Sequence, residues 1–303
     1  MTAITLLDGS IGQELVHRHG AQATPLWSTS VMIDRPSLVG DLHGDYFAAG
    51  ATIATTNTYA VLSDRLAKSG LEGQIGQLLD TALAEAKRAR DAHGSGRIAG
   101  SLGPIGASYR PDIKVTADQA AAIYGANVQR LDHGVDLWLI ETMSSVNHAE
   151  TALEAVSRFT RKPVWLAVSV DDDDGTRLRS GEATADIAAM IAALPENAKP
   201  QAILVNCSRP EAVAAGIDAL KGTGLPFGAY ANGFTRITPE FLRDNPTVDA
   251  LSARRDLDPA AYADFAMGWV AQGATIVGGC CEVGPAHIAE LARRLKDAGH
   301  TIV

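Results

Sequence analysis

The amino-acid sequence predicts a single (β/α)8 barrel. Three observations carry that expectation. Short β-branched or apolar runs alternate with longer Ala-rich stretches, the alternation repeats eight times, and polar residues gather where the strands end. Nearly continuous apolar runs are what strands buried on both faces look like. A doubly wound open sheet shares the alternation and needs no closure; the count of eight favours the barrel.

ITLLDG (4–9) reads as the first strand, and the segment from Pro36 to Ala49 as a helix with proline in its first turn. ATIATTNT (51–58) is the second strand, followed by a helix over 74–93. RIAGSLG (97–103) is the third, and Thr116 can cap the helix that runs to about His133. VDLWLIET (135–142) precedes a helix near 145–159, and PVWLAVSV (163–170) one near 184–193. AILVNCS (202–208) precedes a helix near 210–220, and PFGAYANG (226–233) one near 259–271. ATIVGGCC (274–281) is the eighth strand, with a last helix over about 285–298. No linker or composition break interrupts this order, so residues 1–303 are expected to form one domain.

The chain is 46% apolar and 5% aromatic over 303 residues, enough for a large core. Its net charge is −9 and no stripe of Lys or Arg forms, which argues against nucleic acid as a partner. The start, MTAITLLDGS, has no basic n-region, and no segment approaches roughly 18 uninterrupted apolar residues. Neither a secretory leader nor a membrane span is therefore expected; a homo-oligomer is compatible with the sequence. Three cysteines make a poor disulfide framework. A reducing, cytoplasmic setting is the simplest reading, and there cysteines more often bind metal or catalyse.

In a barrel of this kind chemistry sits where strands end. Asp8 ends the first strand, Thr56 the second, Glu141 the fourth, Cys207 the sixth, Asn232 the seventh, and Cys280 with Cys281 the eighth. Only the seventh strand separates Cys207 from the Cys280–Cys281 pair, so three sulfurs can converge. Neighbouring residues on a regular strand point to opposite faces, so both cysteines of the pair can serve one metal only if the backbone leaves β geometry. Gly278 and Gly279 are expected to give that freedom. Three protein ligands suit a catalytic Zn2+ with an open fourth position, and soft thiolates suit the holding of a fourth thiolate. Three small buried hydrophobes, or a redox pair, are the alternatives that spacing leaves open.

These residues resemble a known family. VNCS, GGCC and the following P-x-H-I (Pro285 to Ile288) are similar to the zinc motif of homocysteine S-methyltransferases. DGSIGQEL (8–15), PLWS (25–28) through DYFAAGA (45–51), TTNTY (55–59), GSLGPIGA (100–107), LIET (139–142) and YAN (230–232) stand in the family's order. The resemblance implies a zinc-bearing barrel of the methyltransferase class EC 2.1.1, with Cys207, Cys280 and Cys281 as zinc ligands and catalytic residues. It implies that Asp8 and Glu141 hold the homocysteine ammonium group, and that amides at Gly9, with Thr56, hold its carboxylate. Trp27 falls where the family places an aromatic near the methyl donor, and Asn232 of YAN joins the substrate-binding set. Gln13 and Gly233-Phe234 depart from the pattern, and Ala60 stands where betaine-using members carry an extra aromatic.

The resemblance thus implies methyl transfer from a sulfonium donor, S-methylmethionine or S-adenosylmethionine, to homocysteine, giving methionine. Another thiol or selenol acceptor, an onium donor such as betaine, or a non-catalytic zinc- or thiol-binding barrel are the alternatives. DDDD (171–174) reads as a solvated loop, and Arg177 and Arg179 have no assigned place.

Overall fold

The computed structural model describes residues 2–20, 26–243 and 247–303; Pro25 of the PLWS motif lies outside them. Eight strands run parallel: β1 (Ala3–Leu6), β2 (Ile53–Thr55), β3 (Arg97–Leu102), β4 (Leu137–Met143), β5 (Val164–Val168), β6 (Ala202–Asn206), β7 (Phe227–Tyr230) and β8 (Ile276–Val277). From β2 to β8 each pairs with the next in chain order, and β8 pairs with β1. A bridge between Leu7 and Ile53, and the Thr52 N–H donated to the Leu6 carbonyl at 2.7 Å, bring β1 against β2 and close the ring.

Most strands are shorter than the apolar runs suggest, because the final residues of the run bend away into the following loop; β4 instead continues through Met143. A ninth strand, β9 (Thr301–Ile302), was not expected from sequence. It pairs with Ala3 and Ile4, on the edge of β1 that further along meets β2. Thr52 Oγ1 donates to the Val303 carbonyl at 2.7 Å, so the chain end fills the gap below β2.

Eight helices pack outside the strands: α3 (Ser37–Ala48), α5 (Ile75–His93), α6 (Ala117–Leu131), α7 (Val146–Ser157), α8 (Asp186–Ala193), α9 (Pro210–Leu220), α10 (Pro259–Ala271) and α11 (Pro285–Asp297). Thr116 caps α6 as expected, in a reciprocal capping box with Gln119. Three short helices lie in the loops after β1 and β2: α1 (Gly12–His19), α2 (Ser28–Asp34) and α4 (Ser63–Ala67). Each is too short to leave a clear period in the sequence. No helix among the described residues is long and apolar enough to cross a membrane.

Strand alternation splits the core into two parts. Leu6, Ile98, Trp138, Ile140, Leu166, Ile203, Val205 and Val277 face the helices. Leu7, Ile53, Ala99, Leu137, Leu139, Ala167, Ala202, Leu204 and Ile276 fill the barrel. One step further along the strands, the same parity turns polar: Thr55, Ser101, Glu141 and Tyr230, all buried. That change of chemistry marks the floor of the site.

Candidate active site

Above this polar layer lies a cleft whose empty space, counted out to its open mouth, is about 930 Å³. Cys207, Cys280 and Cys281 meet in it, their sulfurs all within 4.8 Å of one another. Cys207 and Cys280 stand in disulfide contact, with Cα atoms 5.8 Å apart, and Cys281 is the free thiol.

The backbone explains the convergence. Ile203 and Val205 face the helices, so residue 207 on a continuing strand would face them too. Cys207 instead takes φ 47, and this left-handed step turns its sulfur into the cleft; such a residue costs on the order of 1 kcal/mol or more. Cys280 and Cys281 sit in a turn that Val283 N–H closes onto the Cys280 carbonyl at 3.1 Å, with Glu282 at φ 64. A turn, unlike a strand, lets two neighbours face one cavity.

Gly278 and Gly279 act differently from the sequence expectation. Neither has a positive φ among the described residues. What they supply is space. A Cβ on Gly278 would come within 2.5 Å of Leu7 Cβ and 3.0 Å of the Asp8 carbonyl oxygen, and one on Gly279 would run into Val283. The Gly279 N–H donates to the Asp8 carbonyl at 3.0 Å. The loops after β1 and β8 can therefore lie against each other, which brings Asp8 beside the cysteines.

Tyrosines from the outer helices brace these loops. Tyr46 of α3 donates to the Ser10 carbonyl at 2.8 Å and reaches the Val283 carbonyl at 3.3 Å. Tyr262 of α10 donates to the Gly278 carbonyl at 2.6 Å and accepts from the Ala231 N–H at 3.1 Å.

Two buried carboxylates share the cleft. Asp8 accepts from the Thr55 N–H at 2.6 Å and the Thr55 hydroxyl at 2.8 Å. Glu141 accepts from the Ser101 hydroxyl and from the Tyr230 hydroxyl at 3.0 Å. Despite these bonds, burial raises Asp8 to about 8 and Glu141 to about 7. Burial also pushes the Cys281 thiol up to about 12. Burial is the cause common to all three, and among the described residues no Lys, Arg or His lines the cleft to offset it.

The donor set fits zinc. Thiolates on one tetrahedral zinc, each at about 2.3 Å, stand on the order of 4 Å apart; the three sulfurs here all lie within 4.8 Å of one another, and the Cys207–Cys280 contact would open to admit the ion. Three soft, potentially anionic groups without a cationic side chain are what a resident cation would balance.

Aromatic rings wall the outer part. Trp27, at φ 48, stacks on Tyr59 with centroids 6.3 Å apart and lies 5.9 Å from Phe241. Phe241 lies 6.0 Å from Tyr109, and Phe234 completes the lining. Of the residues singled out in sequence, Asp8, Gly9, Trp27, Thr56, Glu141 and the three cysteines line the cleft. The Thr56 hydroxyl also accepts from the Ser101 N–H at 3.1 Å.

Asn232 does not line it. It is buried, its Oδ1 accepts from the Phe234 N–H at 3.1 Å, and its role is to shape the turn out of β7. Sequence reasoning missed Tyr109, Phe234, Phe241, Ser10 and Tyr230 as lining residues. The only signal available was that aromatics are scarce in this chain, yet several stand just beyond strand ends.

The model of the homocysteine S-methyltransferase family matches residues 5–295. The homocysteine S-methyltransferase of Escherichia coli (strain K12) is 32% identical over 314 residues, covering 96% of this chain and 95% of that protein. A homocysteine S-methyltransferase of Bacillus subtilis is 28% identical, over 95% of this chain and 93% of its own. The crystal structure of the Escherichia coli homocysteine methyltransferase in its metallated form superposes with a TM-score of 0.79 at 30% identity, covering 97% of this chain and 96% of that one. An oxidised form of the same enzyme gives the same TM-score.

Proposed function

The chain belongs to the homocysteine S-methyltransferase family, and from that premise we propose that it moves a methyl group from a sulfonium donor, S-methylmethionine or S-adenosylmethionine, to the thiol of homocysteine at a zinc-bearing site, giving methionine. The observation that carries this reading is the charge balance of the cleft. Three cysteine sulfurs and two buried carboxylates face one another, and among the described residues no cationic side chain lines the cleft. Such a site is complete only when its ligands bring positive charge, and a metal ion, an ammonium group and a sulfonium each do.

Cys207, Cys280 and Cys281 would hold the zinc, with Cys207 and Cys280 reduced. A bound zinc supplies the charge that keeps a substrate thiol ionised at neutral pH. The protein then needs no strong base beside the thiol. Asp8 and Glu141 would accept the homocysteine ammonium group, and the hydrogen bonds from Thr55, Ser101 and Tyr230 fix the two carboxylates in place for it.

The substrate carboxylate would meet the Gly9 N–H and those of the first turn of α1, whose dipole favours an anion. Thr56 and the buried Ser10 hydroxyl, which has no partner among the described residues, would add donors. The donor's methyl-bearing cation would face Trp27, Tyr59, Tyr109 and Phe241. As the new carbon–sulfur bond forms at homocysteine, the carbon–sulfonium bond breaks and the donor leaves as a neutral thioether. No side chain has to protonate it.

Ala60 lines the cleft where a further aromatic would help to enclose a trimethylammonium group, so betaine is the weaker donor. Thiols needed as ligands are best kept in a reducing, cytoplasmic compartment. The test is methionine formation by the zinc-loaded, reduced protein with homocysteine and a panel of onium donors. A sulfonium should exceed betaine in kcat/KM by about ten-fold, the scale of one lost cation–π wall. Betaine equal to or better than S-methylmethionine would sink the donor assignment.

A further inference from the structure

Of the four aspartates after β5, Asp173 and Asp174 are exposed, as a solvated loop predicts, and Asp172 alone is buried. Asp171 accepts from the N–H groups of Asp173 and Asp174 at 2.9 and 3.1 Å and so closes the turn. Asp174 accepts from the Thr176 N–H at 3.0 Å. Asp173 pairs with Arg236 at 2.5 Å, in the exposed part of the loop after β7.

Asp172 is different. It forms an ion pair with Arg179 at 2.5 Å in which the side chains are only 6% and 10% exposed. Its other oxygen accepts from the Ile237 N–H, across in the loop after β7, at 2.9 Å. The Arg179 guanidinium carbon lies 4.8 Å from the centroid of the Tyr109 ring. Tyr109 lines the cleft and Arg179 does not, so the cation covers the ring from behind. Tyr109 also holds φ 59, a conformation its surroundings must enforce.

The two aromatic walls next to each other, Tyr109 and Phe241, come from different loops, one after β3 and one after β7. Asp172 is tied to both: to Tyr109 through Arg179, and to the Phe241 loop through Ile237. A buried ion pair contributes little stability beyond what apolar side chains of the same volume would give. Its value here is in fixing position.

The geometry points to Asp172 and Arg179 as positioning residues that set the spacing of the Tyr109 and Phe241 walls, and with it the fit of the methyl donor. This rests on the reading that an onium donor occupies the aromatic part of the cleft. Neither residue lines the cleft itself, so the two should act through the donor's aromatic walls and not on homocysteine directly.

The test is steady-state kinetics of the zinc-loaded full chain with S-methylmethionine and homocysteine, for Asp172→Asn, Arg179→Lys and the double variant Asp172→Asn/Arg179→Met. The double variant removes both charges together and leaves no buried charge unpaired. Expected is a rise in the S-methylmethionine KM of about five- to thirty-fold in Asp172→Asn and in the double variant, from misplaced walls. Arg179→Lys, which keeps the charge and loses the planar stack, should fall between these and the wild type. The homocysteine KM and the zinc content should stay within about two-fold. An unchanged donor KM in the folded double variant, or donor and homocysteine KM rising together, overturns the clamp alone. A wild-type protein inactive with both S-methylmethionine and S-adenosylmethionine overturns the clamp and the functional reading together.

Discussion

The lower half of the barrel interior is filled by Leu137, Leu139, Ala167, Ala202, Leu204 and Ile276, all buried and all apolar. One layer higher the barrel presents Thr55, Ser101, Glu141 and Tyr230, and beyond them stand Asp8 and three cysteines. The backbone differs as much as the side chains. Every non-glycine residue with positive φ among the described residues, namely Trp27, Tyr109, Thr142, Cys207 and Glu282, lies at or beyond a strand's C-terminal end, Thr142 being the next-to-last residue of β4. The lower layer is what a fold needs in order to be stable. The upper layer gives up stability to hold buried charge and strained backbone where ligands can use them.

The largest effect should come from breaking the upper layer at its centre. Cys207→Ser, Cys280→Ser and Cys281→Ser are each expected to lose most of the bound zinc. Methyl transfer should fall by at least about a thousand-fold, or about 4 kcal/mol. Elemental analysis beside the rate measurement checks this, and full zinc retention in all three would refute the ligand assignment.

Truncation in the lower layer should act on the other axis. Leu204→Ala is expected to cost about 2–5 kcal/mol of stability through the cavity it leaves. Thermal melts should show the loss, while the KM values of the protein that remains folded stay near wild type. A Leu204→Ala protein of normal stability and poor substrate binding would erase the distinction between the layers.

Glu141→Gln sharpens the comparison because it should separate stability from binding. The Ser101 and Tyr230 hydroxyls can reorient toward an amide, so the hydrogen bonds survive. The homocysteine KM should rise by about 1.5–3 kcal/mol, the worth of a charged hydrogen bond. The raised Glu141, at about 7 against an ordinary 4.5, contributes stability that is full below pH 4.5 and lost as pH climbs through 7. Without substrate, Glu141→Gln should therefore gain on the wild type between pH 5 and 8, by about 1–3 kcal/mol. Melting curves across that range are the check; a gap that shrinks with pH would mean that Glu141 is balanced by a cation already.

The smallest effect is expected at the brace. Tyr46→Phe removes the hydrogen bonds to the Ser10 and Val283 carbonyls, worth about 0.5–1.5 kcal/mol. It should loosen the loops that carry Asp8 and Cys281, visible as faster amide exchange at Gly9 and Gly279 with little change in zinc content.

Much of this division was legible in the sequence, for reasons that differ from residue to residue. Leu139 and Leu204 announce themselves by strand parity, because period two is a backbone property. Asp8, Glu141 and the cysteines announce themselves as polar or sulfur-bearing ends of apolar runs. What parity could not give was the direction of Cys207, since a single left-handed residue reverses it. Gly278 and Gly279 were read for their conformational freedom, and their real reason, the close approach of the β1 and β8 loops, exists only once the barrel closes. Asp172 illustrates the same limit. Its partners are Arg179 and the Ile237 backbone, and no local pattern distinguishes a carboxylate that will be buried 65 residues from its donor from one left in water. Tyr109 and Phe241 become a wall only across two loops.

The most direct test of the central claim, that the thiol-lined mouth works with one metal ion per chain, is a zinc titration of the reduced, chelator-stripped protein followed by methionine formation from homocysteine and S-methylmethionine. The expected result is no methionine without metal and a rate that rises linearly to a break at one zinc per chain, with Cys281→Ser showing neither the break nor the rate. A metal-free wild-type protein that forms methionine at the full rate would contradict it.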